Sequence, residues 1–139
     1  MALTANRINE YKSKADILSY GVDGAVLEIF RGALVCTDST GYAVPGADTA
    51  NYVFAGMAED NVAQTAIVTD GTNDVRVIAK GSGYIVKLPI VTGVTVADLG
   101  KTVYVADDEN VDLVAGVSNN VEVGVIQEVY GANSVGVRI

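Results

Sequence analysis

From about Ala15 onward, apolar and polar residues alternate with a period of two, the spacing of half-buried strands and not of helices. "DVRVIAK" puts Val75, Val77 and Ala79 on one face and Arg76, Ile78 and Lys80 on the other. After Gly81-Ser82-Gly83, "YIVKLP" sets Tyr84, Val86 and Leu88 opposite Ile85 and Lys87. Two alternating runs joined by a short glycine-rich link predict a β-hairpin, with Pro89 ending its second strand or marking it as an edge. A second hairpin is predicted from "KTVYVA" through the turn "DDEN" to "VDLVAG". A third runs from "VEVGVI" through the turn "GAN" to "SVGVRI" at the end of the chain.

Further strands are expected at Ala25–Phe30, Leu34–Thr37 and Tyr52–Ala58. Turn signals recur every 8–12 residues, as in a barrel or sandwich. One helical turn is expected at "VADL", capped by Thr95, with Asp98 at the third position and Gly100 just beyond. No tandem repeat at a fixed period stands out. The expected fold is all-β: a compact β-barrel-like or β-sandwich domain over residues 16–139, with residues 1–15 as an extended N-terminal arm.

Composition narrows the picture. The chain has 139 residues, half of them apolar, and 15 glycines against 2 prolines, enough for one packed core with many tight turns. The formal net charge of −8 argues against a nucleic-acid partner, which calls for a basic footprint. That charge is uneven. Residues 1–14 hold Arg7, Lys12 and Lys14 against Glu10, a balance of +2, whereas the rest holds six basic and sixteen acidic residues, a balance of −10. A single cysteine excludes an internal disulfide, the start of the chain lacks a signal-peptide core, and no apolar run is long enough for a membrane helix.

Candidate chemistry is sparse. Without histidine there is no Ser-His-Asp or Cys-His arrangement and no imidazole metal ligand. Cys36, inside an alternating run, reads as a small core residue. "DDENVD" offers oxygen ligands but lacks the spacing and central glycine of a calcium loop, and reads as a solvated turn. "GSGYIV" opens no helix and lacks the third glycine of a phosphate loop. Glu59-Asp60 and the Asp70/Asp74 pair fall in loops within a general acidic excess. No catalytic, cofactor or metal site is expected, and the chain reads as a non-enzyme. The candidate contact residues are in the arm: Leu3, Ile8 and Tyr11 as apolar anchors, with Arg7, Lys12 and Lys14 beside them.

Several segments in order carry a family resemblance. They are "GALVCTDSTGYAVPG", "FAGMAED", "VRVIAKGSGYIVKLP", "LGKTVYVADDENV" and "VEVGVIQEVYGANSVGVRI", which span roughly residues 20–139. In order and spacing they resemble the capsid cement, or head decoration, proteins of tailed bacteriophages. The resemblance implies a β-barrel-like domain, made in the bacterial host's cytoplasm, that binds the major capsid protein on the outer surface of the virion head. It also implies a homo-oligomer, a trimer, that braces the shell without cofactor, nucleic acid or membrane. The alternatives are another virion β-module, a head fibre or tail component, or a ligand-binding β-domain; the last would want grouped exposed aromatics, and there is no Trp.

Overall fold

A computed structural model describes residues 16–139, and this body is all-β. Its strands are β1 (Ile17–Gly21), β2 (Glu28–Ile29), β3 (Leu34–Thr37), β4 (Ala43–Pro45), β5 (Val53–Ala58) and β6 (Val62–Ala63), then β7 (Asp74–Ala79), β8 (Ile85–Pro89), β9 (Thr102–Val105), β10 (Val111–Asp112), β11 (Glu122–Gly131) and β12 (Ser134–Arg138). Two 3-10 turns, Val96–Asp98 and Val114–Gly116, interrupt the later strands. One five-stranded sheet has the order β1-β7-β5-β3-β4, another the order β10-β9-β11-β12-β8, and β2 pairs with β6. Every named strand pair is antiparallel.

Both large sheets curl until their edges touch. Just past β1, Val22 makes a parallel bridge to Ala43 of β4; just past β8, Ile90 makes the same bridge to Val111 of β10. Inward residues fill each curl: Val22, Val35, Ala43, Ala58, Val75 and Val77 in the first, Ile90, Val103, Val111, Ile126, Val135 and Val137 in the second. All twelve are buried, as strand alternation requires of the face turned inward.

These two lists correspond position by position. Reading the second sheet as β8-β12-β11-β9-β10 reproduces the first, β1-β7-β5-β3-β4. The strands β1, β3, β4 and β5 map onto β8, β9, β10 and β11 at one constant shift, that of Val22 to Ile90, and residues 73–79 map onto 133–139 at the shift of Val75 to Val135; the 3-10 turns Val96–Asp98 and Val114–Gly116 have no counterpart in the first half. The hydrogen bonds follow the map. Val22 N–H donates to Asn73 O as Ile90 N–H donates to Asn133 O; Gly32 N–H donates to Ala58 O as Gly100 N–H donates to Ile126 O; Ala58 N–H donates to Ala33 O as Ile126 N–H donates to Lys101 O. A β-bulge falls at the same place, before Gly56 against β3 and before Gly124 against β9. Glycine is needed at both: a Cβ on Gly56 would sit 2.1 Å from Ile78 O, and one on Gly124 2.0 Å from Arg138 O. The chain is an internal duplication, although no fixed-period repeat stands out in its sequence.

The halves share a core. Leu34, Cys36, Val44 and Phe54 lie on the outer face of the first sheet and belong to one apolar cluster with the interior of the second. Between β5 and β7 the first half carries a longer connection, which holds β6. Buried Gln64 ties it down: its side-chain amide donates to Val26 O and, at 3.2 Å, to Asp23 O, while its Oε1 accepts from Asn73 Nδ2 at 2.9 Å.

Several expectations hold. Leu34–Thr37 is β3, and the hairpins β9–β10 and β11–β12 form. The 3-10 turn after Thr95 has a full capping box, with Thr95 Oγ1 accepting from Ala97 N–H and Asp98 accepting from Thr95 N–H. Pro89 closes β8 at a sheet edge. Three expectations change. The expected hairpin across Gly81-Ser82-Gly83 does not form, because β7 pairs with β1 and β5 while β8 pairs with β12. The link carries the chain from one half to the other, and its glycines have left-handed backbone (φ 85° and 84°) that serves a crossing as well as a hairpin. The return strand at "VDLVAG" stops at Asp112 and becomes a 3-10 turn, and Ala25–Phe30 contributes only Glu28–Ile29.

Candidate functional site

The six arm residues singled out in the sequence, Leu3, Arg7, Ile8, Tyr11, Lys12 and Lys14, lie outside the described residues. The side chains that remain are those of the folded body. Cys36 is fully buried, and burial pushes its thiol up to about 11, so it is a core residue and not a nucleophile.

Several acidic residues hold turns. Asp38 Oδ1 accepts from Thr40 N–H and Oγ1 and from Tyr42 N–H, closing the β3–β4 turn; the Thr40 hydroxyl leads in lowering its pKa. Asp107 does the same in the β9–β10 turn, accepting from Glu109 N–H at 2.8 Å and Asn110 N–H at 2.6 Å. Burial works to raise the Asp107 pKa, and the amides of Asn110 and Glu109 outweigh it, so the net direction is down. Asp98 lies 2.6 Å from Lys101, which leads in lowering its pKa. Asp60 makes a two-pronged pair with Arg76 at 2.7 and 2.8 Å on an exposed face.

Two carboxylates do more than close a turn. Asp48, in the first half, accepts from Ser118 N–H at 2.7 Å and Asn119 N–H at 2.8 Å in the second, and the Ser118 amide leads in lowering its pKa. It clamps the halves together. Asp112, part of the acidic stretch expected to be solvated, is instead buried and accepts from Thr92 N–H at 3.1 Å and Leu113 N–H at 2.8 Å. Neither role is visible in sequence, since the partners are distant in the chain or a matter of side-chain direction. Among the described residues no three His, Cys, Asp or Glu side chains gather as a metal site would require.

Among the described residues, two open grooves stand out on the surface. One, of about 340 Å³, is lined by Phe30, Arg31, Gly32 and Ala33 of the first half and by Asp108 and Glu109 of the second. The other, of about 350 Å³, is lined by Lys101, Thr102, Tyr104, Leu113, Val114 and Ala115, all in the second half. Tyr130 donates to Glu128, with Lys87 Nζ over its ring at 5.1 Å, on an exposed strand surface.

Fold and surface together define an all-β protein of two like, curled halves whose polar side chains stabilise loops and join the halves. Compared with known proteins, the chain matches no family model, no curated protein and no solved structure.

Proposed function

We propose that this protein is a non-enzymatic decoration protein of a tailed-phage capsid, which binds the outer surface of the assembled head and braces it by bridging capsid subunits. The observation that carries the reading is where its carboxylates are engaged: Asp38, Asp48, Asp98, Asp107 and Asp112 accept backbone amides in turns and across the halves instead of converging on a cavity. That suits a molecule whose work is to keep its shape under load. The resemblance of its ordered β-segments to cement proteins supplies the partner, the major capsid protein, and the trimeric state. Binding only the assembled shell stabilises that state by mass action, by about 2.7 kcal/mol per site at a free concentration a hundredfold above the dissociation constant.

The test is to heat DNA-filled heads with and without bound protein and record the temperature of DNA release. Release at a higher temperature, rising with occupancy, is the expected result. Equal release temperatures at full occupancy would remove the bracing role, and failure to bind heads at all would remove the reading.

A further inference from the structure

The duplication leaves one contact made once that the chain has the parts to make twice. Within the molecule, the β9–β10 turn of the second half docks on the outer face of the first. Asp108 O accepts from Leu34 N–H at 2.7 Å, and Asp107 O lies 3.1 Å from where a Cβ on Gly46 would stand. Under the shift that relates the halves, Leu34 corresponds to Thr102 and Asp108 to Thr40, while Val114, at the start of a 3-10 turn, stands in the sequence place of Gly46. The docking face of the first half therefore has its counterpart in the groove lined by Lys101, Thr102, Tyr104, Leu113, Val114 and Ala115, which is open among the described residues. The docking turn has its counterpart in Ser39-Thr40-Gly41, whose three residues are exposed.

Backbone direction agrees. Val105 N–H donates to Val121 O and Lys101 O accepts from Ile126 N–H, so alternate residues of β9 face β11. Thr102 then turns its amide to the other side, toward the groove, as Leu34 turns its amide toward Asp108. Among the described residues the Thr102 amide has no bonded partner there.

We infer that the groove at Thr102 and Val114 receives the Ser39-Thr40-Gly41 turn of a second copy of this chain, with Thr40 C=O accepting from Thr102 N–H. The contact is head-to-tail: turn and groove are different surfaces, so each copy offers one of each, and association closes a ring or continues as a filament. Charge permits it. The turn docked internally is acidic at Asp107, Asp108 and Glu109 and faces Arg31, whereas the free turn carries only Asp38 near its base and meets Lys101. On a chain of net charge −8 the less acidic turn is the one suited to approach another copy.

The interface is weaker than its internal counterpart. The internal face is built on Leu34, Cys36, Val44 and Phe54, and their equivalents are Thr102, Tyr104, Asp112 and Glu122. A polar face of this kind gives reversible association. The inference rests on the proposed homo-oligomer and names the surfaces that would meet in it; it is tested on the free chain, so its failure is distinct from a failure to bind heads.

The test uses two single variants, Thr40→Cys and Val114→Cys, both at exposed positions, with buried Cys36 left in place. Each is incubated alone and then mixed, in concentrated solution with oxidised glutathione as the oxidant. A disulfide-linked dimer in the mixture and none in either variant alone is the expected result. No dimer in the mixture, or equal dimer in a single variant, which would mean a symmetric contact, overturns the inference. Light scattering gives a second readout. The unmodified chain should gain mass with concentration, and Thr102→Pro, which removes the groove-facing amide and fixes the local φ, should lose that gain while keeping the parent's circular-dichroism spectrum, whereas Thr102→Ala keeps both. A mass that stays monomeric at every concentration, or a gain that Thr102→Pro leaves unchanged, overturns it equally.

Discussion

At single positions, the matched glycines Gly56 and Gly124 are tightly constrained. A Cβ at either would meet a carbonyl oxygen of the neighbouring strand at about half the distance van der Waals contact allows. Backbone on both sides must move, since neither contact is the end of a flexible side chain. Gly56→Ala and Gly124→Ala should each cost about 3 kcal/mol or more and lower the melting temperature by roughly 10 °C. Gly131→Ala, with open space at its Cβ, should stay within about 0.5 kcal/mol of the parent chain. Melts of the three variants decide this, and equal melting temperatures would remove the close approach. Cys36 yields a simpler expectation. A thiol raised to about 11 by burial should not react with Ellman's reagent at pH 8 in the folded protein, and should react fully once guanidinium unfolds it.

At the scale of elements, the alternation of apolar residues was a sound guide to faces and a poor one to partners. Val75, Val77 and Ala79, like Val103 and Val105, or Val135, Val137 and Ile139, are buried as their spacing indicates. Nothing in "VRVIAKGSGYIVKLP" says that β7 and β8 part company, because Gly-Ser-Gly permits a reversal and a crossing alike. The duplication stayed hidden for a related reason: matched core positions keep an apolar character and change identity, as in Val22 and Ile90, Ala43 and Val111, or Ala58 and Ile126. Packing tolerates such exchanges when neighbours adjust, so little literal repetition survives. Of the expected contact residues, all lie in the arm, and the groove opposite β10 emerges only once the halves are superposed in register.

The clamp between loops has a pH signature. Asp48 titrates below its ordinary value because the Ser118 and Asn119 amides favour its charged form. A folded-state pKa below the unfolded one contributes stability that is fully present above the unfolded value, about 3.9, and is lost as pH falls through the folded value. The melting temperature should therefore hold on the neutral side and fall below about pH 4. Asp48→Asn should start lower at neutral pH and fall less steeply in acid. An identical acid slope in the two proteins would show that this carboxylate does not link the halves.

Across the whole molecule, duplication and cooperativity pull in opposite directions. Two like halves, each with its own filled interior, invite two unfolding steps. Against that, the apolar cluster of the second half extends through Leu34, Cys36, Val44 and Phe54 of the first, and Lys80 Nζ donates to Glu122 O across the junction at 2.9 Å. Separating the halves would expose those four side chains to water, at about 1.5–3 kcal/mol for each large one, a cost comparable to the whole stability of a domain of this size. The halves should therefore unfold together. Calorimetry should record one transition whose measured enthalpy equals its van't Hoff enthalpy, and Phe54→Ala, at the shared face, should lower that single transition without splitting it. Two resolved transitions in the parent chain would mean that each half stands alone and that the junction merely tethers them. In a protein proposed to brace a loaded shell, a single transition has a mechanical meaning: a pull on one half is resisted by the core of both.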